Sequence, residues 1–134
     1  MQLTFFQLFS VSERNWKIKI PIMQRDYAQG RDSSKEIRDA FLDTLYECLN
    51  QGKNIDLDFI YGRVYNNNEF IPLDGQQRLT TLFLLHWYLA NKENKKQIFN
   101  ENFIENGKSK FTYETRTSSI EFCDELVKCN FAFN

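Results

Sequence analysis

The 134-residue chain is one domain's worth of polypeptide, 42% hydrophobic and 16% aromatic with 13 Phe, and its two Pro and five Gly exclude low complexity and a long disordered arm. A net charge of −1 and a pI near 5.9 lack the basic excess that phosphate neutralisation asks of a duplex-binding surface, so DNA contact by this segment is disfavoured. Cys48, Cys123 and Cys129 are odd in number and form no CxxC pair, which disfavours a disulfide framework or zinc site and fits reduced thiols.

The opening "MQLTFFQLFS" has no basic n-region or small-residue cleavage site, and no apolar run approaches the ~20 residues of a membrane span. A cytoplasmic protein without membrane contact is expected. "WKIKIPI" (16–22) alternates and closes on Pro21, reading as a strand that runs out into the polar, Gly30-containing loop "MQRDYAQGRD". Ser33 with Glu36 reads as a capping box opening a helix to about Asn50, stopped by Gly52. Ile37, Phe41, Leu45 and Leu49, flanked by Leu42, form its expected buried face.

"LDFIYGRVY" (57–65) and "EFIPL" (69–73) read as two strands of a hairpin around "NNN". Asp56 and Asp58 of "IDLDF", at the start of the first, fit turn and edge positions better than a metal site. The second run delivers the chain into Asp74-Gly75, and Gln76 to Ala90 reads as a helix apolar on nearly every side, hence central. His86 shares its face with Leu79, Leu82 and Phe83, which makes it a core residue. "NKENKKQ" reads as a solvated linker, "KFTYETR" as a short strand or loop, and Ser118 with Glu121 as the cap of a last helix to about Lys128. The chain stops at "LVKCNFAFN", still apolar, a pattern expected of the N-terminal part of a longer protein. A single domain over 1–134, mixed α and β, is expected.

The strand–"DGQQR"–helix junction carries the chemistry. Gly75 lets the backbone bend and approach a ligand closely, and the first helical turn offers unpaired N–H groups with a partial positive charge. Arg78 can lean back over that end, completing a small anion trap suited to phosphate. Asp74 either caps the helix or holds a metal or water near the phosphates. Two arginine contacts at roughly 1.5–3 kcal/mol each, with up to about 1 from the helix end, leave millimolar binding after ordering costs. Base and ribose contacts must supply the rest.

"DGQQRLTTL" resembles the central motif of the GmrSD-type N-terminal family, the GmrS-like domains of modification-dependent restriction systems. "IPIMQRDYAQGR" looks like that family's first motif, and "FTYETRTSSIEFCDEL" like its downstream segment, so the likeness runs from residue 18 to about 126. The resemblance implies a ParB/sulfiredoxin-like α/β fold, a small mixed sheet with packed helices, that binds a nucleoside triphosphate with Mg²⁺. It also implies nucleotide hydrolysis that regulates a DNA-cleaving effector in phage defence. The alternative is a non-hydrolysing ParB-like module that binds nucleotide or a DNA phosphate as a switch or tether.

Carried onto this chain, the resemblance assigns Gln24, Arg25 and Tyr27 to the nucleotide from the first motif, and Gly75, Gln76, Arg78 and Thr80 from the second. Arg116, beside Tyr113, matches the third. Asp74, Gln77 and Arg78 are the catalytic candidates, with Asp74 also the metal ligand. Gln29 stands where the family run has Trp, and no cysteine accompanies "LDGQQR", which speaks against sulfiredoxin chemistry.

Overall fold

The computed structural model describes residues 3–21, 35–55, 60–66, 68–114 and 117–129, with the backbone alone for 117–119. Among these described residues five helices and six strands follow in the order α1 (Phe5–Phe9), β1 (Lys17–Ile20), α2 (Lys35–Gln51), β2 (Gly62–Tyr65), β3 (Glu69–Pro72), α3 (Gln76–Lys92), α4 (Lys96–Phe103), β4 (Ile104–Glu105), β5 (Lys108–Ser109), β6 (Phe111–Tyr113) and α5 (Thr117–Lys128). The mixed α and β architecture is as expected.

The main sheet has the order β2-β3-β1-β6. β2 and β3 form the expected antiparallel hairpin, while β1 runs parallel to both β3 and β6. Ile18 pairs with Phe70 on one side and Phe111 on the other. Ile18, Ile20, Phe70 and Phe111 are buried, the alternation of "KIKI" sending its isoleucines to one face. Phe83 of α3 stacks on Phe111 at 4.7 Å between centroids and meets Phe99 and Phe103 of α4 at 6.2 and 6.3 Å, so phenylalanines bind α3 to the sheet and to α4. Trp87 Nε1 of α3 donates to the Leu126 carbonyl of α5 at 2.8 Å. The N-terminal half of α3 is buried as expected, but Tyr88 near its C-terminal end is exposed.

Gly52 ends α2 at φ 66°, with its N–H directed to Leu49 and that of Lys53 to Cys48, the two bonds of a Schellman stop. The expected buried face of α2 is corrected, because only Leu45 is buried. Periodicity reports that an apolar face exists, not that the chain has something to lay on it. Ser33 lies outside the described residues, and the cap expected at Ser118 falls inside α5, which begins at Thr117.

The expected linker "NKENKKQ" is a second correction. α3 runs on to Lys92, a tight turn follows, and α4 begins at Lys96. Phe99 and Phe103 bury one side of α4, enough to hold a short polar helix against α3. Asn106 and Gly107 then turn β4 into β5 with φ 54° and 75°, the pair of positive values a two-residue hairpin requires.

Two further anchors were not expected. Thr4 and Gln7 cap α1 reciprocally, with the Gln7 N–H on Thr4 Oγ1 at 3.2 Å and the Thr4 N–H on Gln7 Oε1 at 2.8 Å. Lys110, between β5 and β6, is buried, and its Nζ donates to the Phe9 carbonyl at 2.6 Å and to Asn15 Oδ1 at 2.7 Å. Burial pushes its pKa below the usual lysine range, against a smaller opposing pull from Glu105.

Candidate functional site

Because β1, β3 and β6 run the same way, their C-terminal ends share one edge of the sheet. Each end leads into one of the three motif segments: Pro21 onward from β1, Leu73 onward from β3 and Glu114 onward from β6. The Glu114 N–H donates to the Ile20 carbonyl at 2.8 Å, which locks two of these exits together. Open α/β sheets gather ligand groups at such an edge.

The best-defined exit is the turn from β3 into α3. The Tyr61 carbonyl accepts from the N–H groups of Leu73 and Asp74 at 2.8 and 3.3 Å, which fixes the departure angle. Gly75 is the N-cap of α3 at φ 83°, a left-handed conformation, and offers the helix no side-chain cap. A Cβ there would lie 2.7 Å from Ile60 Cγ1 and 3.3 Å from Arg78 Nη2. The Arg78 guanidinium therefore folds back over the helix N-terminus, as its position in the first turn predicts. Ile60 packs on the same glycine, a neighbour the sequence did not point to.

Asp74 is exposed, and its Oδ1 accepts the Gly75 N–H at 2.9 Å. It caps its immediate neighbour rather than the N2 or N3 groups that a helix cap would reach. Gln76 is buried, and its Nε2 donates to the Pro72 carbonyl at 3.1 Å, so its amide braces the strand–helix corner. Gln77 and Arg78 are half-buried and already have partners in the chain. Thr80 is buried; its Oγ1 bonds the Gln76 carbonyl at 3.0 Å and lies 3.4 Å from Tyr113 Oη.

The second and third motif segments thus meet through two hydroxyl groups. Gln24, Arg25, Tyr27 and Arg116 lie outside the described residues, as do Asp56 and Asp58. His86 is the core residue expected: its Nδ1 is 2.7 Å from the Leu82 carbonyl, and its ring is 4.8 Å from Phe5 and 6.0 Å from Phe103. Among the described residues no group of three or more His, Cys, Asp or Glu is placed to hold a metal ion. No disulfide joins the cysteines, and burial pushes the Cys123 thiol up to about 12, an unreactive group at neutral pH.

A concavity among the described residues lies at the opposite end of the strands, lined by Lys17, Lys108, Lys110, Glu69 and Glu105. Its charges nearly balance, and none of the motif residues lines it.

The model of the family described as GmrSD restriction endonuclease, N-terminal domain, matches residues 5–134. The chain belongs to that family. Neither a curated protein nor a solved structure matches it. Membership in the GmrSD N-terminal family makes the chain a restriction-system module, a component of defence against phage. Among the described residues no helix is long and apolar enough to cross a membrane.

Proposed function

We propose that this domain binds a nucleoside triphosphate at the Asp74–Arg78 turn and hydrolyses it, and that turnover gates a DNA-cleaving domain of the same restriction system. One observation carries the reading: the Arg78 guanidinium lies over a left-handed Gly75 at the N-terminus of a buried helix, on the sheet edge where all three motif segments emerge. A phosphate there meets a delocalised cation and the positive end of α3. Arg25 and Arg116 follow β1 and β6 in sequence and are assigned to the charge that develops during transfer. Tyr27 and Gln24 are assigned to the nucleotide beyond its phosphates.

Asp74 fits Mg²⁺, because one carboxylate oxygen is left over from the Gly75 bond, and this cation takes one or two protein carboxylates beside phosphate oxygens. When bound, Mg²⁺ would neutralise charge on the phosphates. Gln77, in the first turn of the same helix, is assigned to orienting the attacking water.

The decisive experiment is thermal unfolding of the domain and its Arg78→Ala variant against each common ribo- and deoxyribonucleoside triphosphate, with and without Mg²⁺. A ligand at 100 times its dissociation constant stabilises by about 2.7 kcal/mol. A shift for one nucleotide that disappears in the variant supports the site. No shift with any nucleotide, or an equal shift in the variant, overturns it. The second reading, a switch that binds without hydrolysing, is favoured by the bond tying Asp74 to Gly75, which holds back the nearest carboxylate. Phosphate release above the Arg78→Ala background rules that reading out.

A further inference from the structure

Among the described residues, helix α2 carries an apolar seam that faces solvent. Leu42, Tyr46 and Leu49, spaced i, i+4, i+7, are 38%, 68% and 62% exposed, while Leu45 beside them is 7% exposed. Three large apolar side chains on one line of a helix are not the scattered exposure that any surface shows. The seam is bordered, on the side away from Leu45, by an acidic stripe of Glu36, Asp39, Asp43 and Glu47 at i, i+3, i+7, i+11. Arg38 pairs with Asp39 at 3.5 Å, and Lys35 opens the seam. Among the described residues Asp43 and Glu47 have no ion-pair partner, so the seam's C-terminal two thirds faces a net negative border.

That charge decides what fits. An anionic membrane surface is repelled by the acidic border. A second copy of α2, packed antiparallel about a two-fold axis, sets acid against acid along the same flank. We propose that the exposed seam of α2 is a docking site for a cationic amphipathic helix of a partner protein, with leucine-like side chains on the seam and lysines or arginines against Asp43 and Glu47. Helix-on-helix docking of this kind uses i, i+4, i+7 anchors for affinity and flanking charge for choice of partner. In sequence α2 is the element that follows β1, whose C-terminal end lies at the proposed nucleotide edge.

The test uses a fluorescein-labelled synthetic peptide of about 20 residues, long enough to form a helix, with leucines at seam spacing and lysines on both flanks. Its twin carries glutamates in place of the lysines. Anisotropy titration against the whole chain is expected to show saturable binding of the lysine peptide and roughly tenfold weaker binding of its twin. Asp43→Lys with Glu47→Lys is expected to reverse that preference, a result that no loss of folding produces. Leu42→Ser with Leu49→Ser is expected to abolish binding while the melting temperature is retained, because both side chains are exposed. Failure of the lysine peptide to bind, equal binding of both peptides, or an unchanged preference in the charge-reversed variant overturns the proposal. So does a dimer in sedimentation velocity that Leu42→Ser with Leu49→Ser dissociates, since the occupant would then be a second copy.

Discussion

Tyr113 Oη lies 3.4 Å from Thr80 Oγ1, across 33 positions of sequence, and this contact joins the end of β6 to the first turns of α3. Thr80 is already committed to the Gln76 carbonyl at 3.0 Å, so the pair is a chain of three polar groups running from the third motif segment into the second. The distance is long for a hydroxyl pair, which sets its worth at the low end of the usual range.

A double-mutant cycle of Thr80→Val and Tyr113→Phe measures that worth directly. Each single change is expected to cost about 0.5–1.5 kcal/mol, with a coupling of about 0.5 kcal/mol by denaturant titration. Strict additivity would mean that the two hydroxyls do not meet in solution.

The local features of the site were legible in the sequence, and the long-range ones were not. "KIKI", "EFIPL" and the glycine after Asp74 announce strand, strand and turn through their own side chains. The lean of Arg78 over Gly75 follows from its place in the first turn. Nothing local says that Ile60 covers Gly75 or that Tyr113 reaches Thr80, because those contacts depend on strand order. α4 was hidden by its composition: Lys, Gln, Asn and Glu dominate it, and two phenylalanines against α3 decide its state. Asn106-Gly107, by contrast, carries the signal of a hairpin turn in its own two residues. Burial of Lys110 had no signal, since its partners Phe9 and Asn15 lie about a hundred positions upstream.

Gly75→Ala tests the turn itself. The left-handed φ of 83° penalises any side chain, and the new Cβ would press on Ile60 Cγ1 at 2.7 Å. Destabilisation of about 2 kcal/mol or more is expected, part backbone strain and part clash. Adding Ile60→Ala removes the clash and leaves the strain. The double variant should therefore lose less than the sum of its singles by denaturant unfolding, whereas an additive result would mean that Ile60 does not cover the glycine.

His86 is the chain's one histidine, which makes its titration assignable. A carbonyl oxygen can only accept, so the 2.7 Å contact with Leu82 places the proton of the neutral ring on Nδ1. Burial among Phe5, Phe103 and the α3 backbone lowers the pKa from 6.5, outweighing the opposing pull of the Leu82 hydrogen bond. The folded state then resists a proton that the unfolded chain accepts. Below pH 6.5 the unfolded state holds more protons, and stability falls with pH until the lower native pKa is passed. Above about pH 7.5 both states are neutral and the contribution is flat. His86→Leu removes this component and keeps the carboxylate background common to both proteins. Melting temperatures measured from pH 8 to about pH 5 should therefore converge as the pH falls if the variant starts less stable, or diverge if it starts more stable, always in the variant's favour. A difference that stays constant across that range would mean that His86 takes up its proton in the folded protein as easily as in the unfolded chain.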